Sequence, residues 1–203
     1  MNRCSLLLTA ALLSFGSITV VPQAASAQGI KIIDLRRISA AEFLDLCTKQ
    51  YQDYPPEGDI CLDKLIARHP KVGGAYILRG VSKDRHRGDY KGALADLNKG
   101  ISLIPETPNS AVAYNYRAKL KADRLNDSRG AIADYDRVIA INPQFPDVYF
   151  NRGIQKIAIR DGVGGRSDLK QALQIYQAKG DTGKAQGVIG SLDLLDQLEA
   201  IKR

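Results

Sequence analysis

Apolar residues in the middle of the chain recur at the three- and four-residue spacing of an amphipathic helix. One series is Ala93, Leu97, Ile101 and Ile104, and a second is Ala131, Tyr135, Val138 and Ile141. Side chains at this spacing lie on one face of a helix. A proline follows each series, at Pro105 and Pro143, and proline cannot donate the next backbone hydrogen bond. The pattern therefore predicts two amphipathic helices, each ending at a proline.

Both helices belong to a longer internal repeat. Residues 89–105 read DYKGALADLNKGISLIP and residues 127–143 read DSRGAIADYDRVIAINP, a match at an offset of 38 positions. A shorter motif, small-Tyr-x-x-Arg-Gly/Ala-x-x-Lys, precedes both and occurs three times, at residues 75–83, 113–121 and 148–156. Each unit is predicted to be a pair of short helices. Because one helical hairpin cannot bury its own apolar face, the pairs must stack. The predicted fold class is all-α, an antiparallel helix-hairpin solenoid.

The repeated residues resemble the tetratricopeptide repeat (TPR) family. The matching positions are the fourth (Tyr76, Tyr114, Tyr149), the eighth (Gly80, Ala118, Gly153), the twentieth (Ala93, Ala131, Ala172), the twenty-fourth (Leu97, Tyr135, Tyr176) and the thirty-second (Pro105, Pro143). This alignment gives the third unit several inserted residues around residues 161–165. The resemblance implies a TPR-like αα superhelix. The sequence is also similar to exported TPR proteins of cyanobacteria and related bacteria.

Further helices are predicted on both sides of the repeats. The segment Ser39-Ala-Ala-Glu42 is a capping box that opens one helix, and a second helix runs from Ile60 to about Arg68. Residues 28–70 are thus predicted to form a leader and a capping hairpin. Within residues 71–182, three repeats are expected at about 73–108, 111–146 and 147–182. Residues 183–203 carry an apolar stripe and are predicted to form a C-terminal capping helix, with docking on a partner chain as the alternative.

The first 27 residues have the three-part plan of a secretory signal peptide. Arg3 precedes an apolar stretch, and Ala25-Ser26-Ala27 predicts cleavage before Gln28. A retained membrane anchor is the alternative. No later stretch approaches the roughly 20 apolar residues that span a bilayer. The mature protein is therefore expected in the periplasm or outside the cell, or in the thylakoid lumen if the source is cyanobacterial.

Export gives the two remaining cysteines a role. Cys47 and Cys61 form an even pair fourteen positions apart, on either side of a predicted turn that contains Pro55 and Pro56. A disulfide that closes a loop of this size contributes about 3 kcal/mol in the chain-entropy model. A structural disulfide is predicted; a redox-active pair and two free thiols are the alternatives.

Composition excludes several classes of protein and adds one hypothesis. Hydrophobic residues make up 44% of the chain and charged residues 25%, which is typical of a globular protein rather than a disordered one. The formal net charge is +7, so association with a polyanion has to be considered. His69 and His86 stand alone, and the glycine-rich segment 162–167, expected to be an inter-helix loop, lacks the features of a phosphate loop. No catalytic residue, metal site or cofactor is predicted.

The repeated arginines allow a functional and a structural interpretation. Arg79 and Arg117 each precede an aspartate by seventeen positions, Asp96 and Asp134, which suggests ion pairs within each repeat. The alternative is a basic ladder that binds a carboxylate or phosphate. In the third unit, Ile175 stands at the position aligned with these aspartates, so Arg152 is expected to lack that partner.

In the TPR family, the first helices of the repeats line a concave surface, and the resemblance implies a binding groove there. The implied groove residues are Ile77, Val81, Asn115, Lys119, Phe150, Ile154 and Ile157, with Arg152 beside them. Membership of Phe150 and Ile154 in the core between repeats is the alternative. The predicted function is a non-enzymatic adaptor or assembly factor that binds a protein or peptide, with no nucleic-acid partner. A basic envelope protein that associates with cell-wall or membrane polyanions is the second hypothesis; the oligomeric state is not predicted.

Overall fold

The computed structural model describes residues 18–20, 32–34, 39–53 and 55–201. Nine α-helices are found in this part of the chain: α1 Ala40–Asp53, α2 Pro55–Arg68, α3 Gly73–Ser82, α4 Tyr90–Leu103, α5 Pro108–Asp123, α6 Ser128–Ile141, α7 Pro146–Ala158, α8 Gly162–Ala178 and α9 Thr182–Ile201. A π-helical turn, Lys83–Arg87, extends α3. Two short strands, β1 Ile18–Val20 and β2 Ile32–Asp34, pair antiparallel. The rest of the predicted signal peptide lies outside the described residues.

The helices pack in pairs along the chain. α1 packs on α2, α3 on α4, α5 on α6 and α7 on α8, and the second helix of each pair contacts the first helix of the next. α9 packs against α8, where Ala185 and Val188 are buried with Leu192 beside them. The predicted all-α solenoid is confirmed. None of the described helices is both long enough and apolar enough to cross a membrane.

Each second helix of a repeat begins with the same cap. The N-cap residues Asp89, Asp127 and Asp161 accept a hydrogen bond from the backbone N–H of the glycine three residues later, at 2.8–2.9 Å. This bond satisfies one of the N–H groups that a helix leaves without an internal partner. A Cβ on Gly92 would lie 2.0 Å from an Asp89 carboxylate oxygen, so any other residue here would make that carboxylate shift. The repeated Asp-x-x-Gly is therefore a helix-start signal.

The cap at Asp161 overturns the expected organisation of the third repeat. Residues 162–167, predicted to be a loop, are the first turns of α8, and only residues 159–161 separate α7 from α8. A Cβ on Gly153 would lie 3.0 Å from the Gly165 carbonyl oxygen. In the first repeat, a Cβ on Gly80 would lie at the same distance from the Ala93 carbonyl oxygen. Gly165, and not Ala172, therefore occupies the twentieth position of the third repeat. Leu169, and not Tyr176, occupies the twenty-fourth. The several inserted residues do not exist.

The N-terminal hairpin is linked covalently. Cys47 and Cys61 form a disulfide with a Cα–Cα distance of 5.3 Å, buried among Phe43, Leu62 and Leu65. The capping box is present, since the Ser39 hydroxyl accepts from the Glu42 N–H and Glu42 accepts from the Ser39 N–H. α2 begins at Pro55 rather than near Ile60, because proline is well tolerated in the first turn of a helix.

Candidate functional site

The Tyr-x-x-Arg-x-x-x-Lys motif builds an ion cluster in the first repeat. Arg79 donates from Nε and Nη2 to the two carboxylate oxygens of Asp96, at 2.8 and 2.7 Å. Lys83, one helical turn after Arg79, places its Nζ 2.8 Å from Oδ2 of the same carboxylate. Asp96 is buried on α4. We call this group of one arginine, one lysine and one buried aspartate a clamp; it joins the first helix of a repeat to the second.

The other two repeats contain the same clamp. Arg117 and Lys121 bind Asp134, with nitrogen–oxygen distances of 2.5–2.9 Å. Arg152 and Lys156 bind Asp168 at 2.6–2.9 Å. The expectation that Arg152 has no aspartate partner is therefore wrong. Its partner follows after sixteen positions rather than seventeen, because the connection in the third repeat is one residue shorter.

The clamps also connect neighbouring repeats. The remaining guanidinium nitrogen, Nη1, of each clamp arginine reaches the second helix of the preceding hairpin, at Asp63, Asn98 and Asp136, over 2.6–2.8 Å. Each guanidinium also lies over the ring of the tyrosine three residues earlier, 5.4–5.6 Å from its centre. Every guanidinium nitrogen of the three arginines and the Nζ of each lysine thus has a partner within the solenoid, which favours the structural interpretation of the arginines over a basic ladder.

Hydrogen bonding within the clamp keeps its groups charged. The hydrogen bond to Asp96 raises the pKa of Arg79 above its ordinary value, although burial acts in the opposite direction. Burial alone would raise the pKa of Asp96, but the hydrogen bonds from Arg79 and Lys83 outweigh it and hold that pKa below its ordinary value.

The structure places the implied groove residues in two environments. Val81 is buried, and Ile77 and Ile157 are half-buried. These two isoleucines lie against glycines of the second helices, Ile77 against Gly100 and Ile157 against Gly165. A Cβ on either glycine would clash with the isoleucine. Phe150 packs partly against the cluster around Leu169. Lys119 is exposed, and the Ile154 side chain is 37% exposed.

Two residues of the same helix that are seven positions apart lie on one face, because seven residues make about two helical turns. On α5 these are Val112 and Lys119, and on α7 they are Asp147 and Ile154. Lys119 and Asp147 are close enough for their charges to interact. Asn115 lies between Val112 and Lys119 on this face of α5, and Phe150 lies between Asp147 and Ile154 on this face of α7. We call Val112, Asn115, Lys119, Asp147, Phe150 and Ile154 the groove face.

Two members of the groove face were not anticipated from the sequence. Val112 is 54% exposed. The Asp147 Oδ1 accepts hydrogen bonds from the Tyr176 hydroxyl at 2.7 Å and from Lys184 Nζ at 3.1 Å. Burial would raise the pKa of Asp147, but these two donors lower it on balance. Both residues stand two places before the repeated tyrosine, at the second position of the family pattern, and that signal identifies them.

One polar atom of the groove face is left unsatisfied. The Oδ1 of Asn115 is buried and accepts no hydrogen bond within the described part of the chain. A buried acceptor without a donor carries a cost of roughly 1–3 kcal/mol. Among residues 39–53 and 55–201, no cluster of three His, Cys, Asp or Glu side chains could hold a metal ion.

Comparison with solved structures shows the fold. A structure described as "Crystal structure of MamA" superposes with a TM-score of 0.62 at 22% identity, covering 70% of this chain and 81% of that one. MamA from Desulfovibrio magneticus RS-1, residues 41 to the end, gives a TM-score of 0.59 at 15% identity, covering 78% and 95%. The first TPR domain of Spaghetti (RPAP3), bound to the HSP90 peptide SRMEEVD, gives a TM-score of 0.54 at 20% identity, covering 64% and 94%.

The solenoid is therefore of the TPR type. At these identities, the similarity concerns the fold alone. No protein-family model matches the chain, and no curated protein matches it.

Proposed function

We propose that the chain is a non-enzymatic module that binds a segment of another protein on its groove face. The observation that carries the proposal is the exposure of Val112 and Ile154 on the faces of α5 and α7 that also carry Lys119 and Asp147. Exposed apolar side chains set among polar residues are typical of protein-binding surfaces. A neighbour with the same fold, the Spaghetti domain, was solved with a bound peptide, which supports this assignment.

The chemistry of the face defines the segment it fits. Val112 and Ile154 favour apolar side chains at two separated points of the ligand. Between the two, the half-buried Asn115 contributes a side-chain amide, a group that can hydrogen-bond with the backbone of an extended peptide. Lys119 is the one cation among the six residues of the groove face and Asp147 is an anion, so the face lacks the cluster of cations that would bind a terminal carboxylate. The ligand is an internal, largely apolar segment rather than an acidic chain end.

Association with polyanions remains the second hypothesis, and the charge distribution does not favour it. The six cations of the three clamps bind carboxylates of the same chain and are partly buried. Such paired cations contribute little to the release of counterions that drives polyanion binding. Binding to the groove face would persist at high salt, whereas polyanion binding would be lost.

Export of the chain is part of the proposal. The Cys47–Cys61 disulfide supports it, because structural disulfides persist mainly in oxidising compartments such as the periplasm. Fractionation of cells that produce the full chain tests the point. Recovery of a shortened chain beginning at Gln28 outside the cytoplasm is the expected result.

Selection from a random peptide library tests the groove face directly. Peptides are selected on the full chain, and their Kd is then measured for the wild type, Val112→Asp, Ile154→Asp and the control Val163→Asp. Val163 is an exposed valine on α8, outside the groove face. We expect both groove variants to weaken binding by about tenfold or more, since each places a charge against an apolar side chain. Equal affinities for all four proteins would refute the proposed site.

A further inference from the structure

α9 has two apolar stripes, and only one is covered. Ala185, Val188, Leu192 and Leu195 face α8 and the core. On the opposite side of the helix, Gly187, Gly190, Leu194, Leu198 and Ile201 recur at three- and four-residue steps, so they form a second continuous stripe. Leu194, Leu198 and Ile201 are 56%, 47% and 81% exposed. We call these five residues the free stripe.

The free stripe corresponds to the face that receives a second helix in the repeats. A buried alanine or valine stands five residues before a small residue in the first helix of each repeat and in α9: Ala75 and Gly80, Ala113 and Ala118, Val148 and Gly153, Ala185 and Gly190. A Cβ on Gly80 or Gly153 would lie 3.0 Å from a carbonyl oxygen of α4 or α8. A Cβ on Gly187 or Gly190 meets no atom within 4 Å. In the described part of the chain, α9 is thus a first helix whose partner face is bare.

The shape of the stripe fits a copy of itself. Its N-terminal half consists of the notches at Gly187 and Gly190, and its C-terminal half of the bulky Leu194, Leu198 and Ile201. In an antiparallel pair, Leu194 of one copy meets Gly190 of the other, and Leu198 meets Gly187. A parallel pair would set glycine against glycine and leucine against leucine, leaving a gap at one end and a clash at the other. A two-fold axis repeats the favourable contacts on both sides.

Charge does not oppose this pairing. None of the five residues of the free stripe is charged. Two charged residues of α9 are engaged within the chain: Lys184 binds Asp147, and Asp196 binds Arg166 of α8. We propose that the free stripe is a homodimer interface, in which two copies of the chain pack their α9 helices antiparallel. This inference is independent of ligand binding at the groove face.

Sedimentation of the full chain at micromolar concentration tests the dimer. We expect the wild type to sediment as a dimer and Leu194→Glu as a monomer, with Val163→Glu remaining a dimer as the control for an added surface charge. Circular dichroism confirms that the helices are retained. A monomeric wild type would overturn the proposal and would leave the free stripe for a helix of another protein.

Gly190→Leu distinguishes specific packing of Leu194 at Gly190 from unspecific association of two apolar surfaces. The new side chain has open space in the single chain and raises helix propensity, so the fold is retained. In the dimer it fills the notch that receives Leu194, and we expect the dimer Kd to rise by about tenfold or more. An unspecific apolar surface would associate more tightly after this substitution, so a dimer that is unchanged or strengthened overturns the proposal.

Engineered cysteines test the orientation of the two helices. A mixture of Gly187→Cys and Leu198→Cys chains is expected to form disulfide-linked dimers under mild oxidation faster than either variant alone. Faster linkage of each variant to itself would show parallel packing and contradict the proposal.

Discussion

At the scale of single residues, the repeated aspartate is the centre of each clamp. One buried carboxylate accepts hydrogen bonds from an arginine and a lysine, and Nη1 of the arginine reaches Asp63, Asn98 or Asp136 of the preceding hairpin. With Asp63 or Asp136 the charges of the group balance, whereas with Asn98 one positive charge remains. Breaking a buried ion pair on one side leaves charges without compensation, so the aspartate should be far less replaceable than the outer partner.

Replacement of Asp134 measures how much a clamp contributes to the free energy of unfolding. Asp134→Ala leaves Arg117 and Lys121 without their carboxylate, both of them mostly buried, and should lower the free energy of unfolding by about 3–5 kcal/mol. Asp136→Ala removes the exposed outer partner of Arg152 and should cost at most about 1 kcal/mol. Urea denaturation of the two variants and the wild type provides the comparison. Similar losses of unfolding free energy for both variants would contradict the greater importance of the buried aspartate over the outer partner.

Acid should weaken the clamp of the first repeat. Its hydrogen bonds hold the pKa of Asp96 below its ordinary value, so the unfolded chain binds a proton at this site more readily than the folded one. The stabilisation is therefore complete above about pH 4, the unfolded pKa, and is lost as the pH falls through the folded pKa. Unfolding midpoints measured between neutral pH and pH 3 should fall less steeply for Asp96→Asn than for the wild type. Parallel curves would show that Asp96 does not titrate differently on folding.

At the scale of elements, the sequence predicted the first two repeats and misread the third. The spacing of apolar residues and the prolines determine α4 and α6, and these could be recognised directly. The segment with Gly162, Gly164 and Gly165 resembled a loop. The start of α8 is instead set by Asp161, which accepts a hydrogen bond from the Gly164 N–H, and the spacing of apolar residues does not reveal such a bond. The same error hid the partner of Arg152. The second position of the family pattern indicates that Val112 faces the groove, but the degree of its exposure depends on which neighbouring side chains cover it.

Close helix contact at Gly100 was also invisible in the sequence. A Cβ on Gly100 would lie 2.6 Å from Ile77 Cγ1 and 2.9 Å from the Gly73 carbonyl oxygen of α3. Gly100→Ala should therefore lower the free energy of unfolding by about 1–3 kcal/mol through overpacking. The matched control is Gly187→Ala on α9, where the Cβ has open space and the higher helix propensity should stabilise the single chain by up to about 1 kcal/mol. Thermal unfolding of both variants distinguishes them; stabilisation by Gly100→Ala would mean that α3 and α4 can move apart at low cost.

At the scale of the whole molecule, the helices of each hairpin contact each other and the neighbouring hairpins along the chain. The major contacts of α1 and α2 beyond their own hairpin are with α3, whereas the hairpin of α5 and α6 has neighbours on both sides. In a chain of nearest-neighbour interactions, a hairpin with one neighbour opens most easily. The disulfide lies in that hairpin. Cys61 stands two residues before Asp63, as Asp96 stands two residues before Asn98, so the covalent bond occupies the place that the clamp aspartate has in the repeats.

Reduction of the disulfide should therefore open one end of the solenoid and leave the repeats folded. Loss of the Cys47–Cys61 bond removes a stabilisation of about 3 kcal/mol, which acts on α1 and α2 and reaches the repeats only through the contact with α3. Hydrogen exchange followed by mass spectrometry, with and without reductant, should show lost protection in α1 and α2 and unchanged protection from α5 to α8. A Cys47→Ala/Cys61→Ala variant should give the same map without reductant, which controls for effects of the reagent. Uniform loss along the chain would instead show that all hairpins unfold as one cooperative unit, and the disulfide would then stabilise the entire molecule.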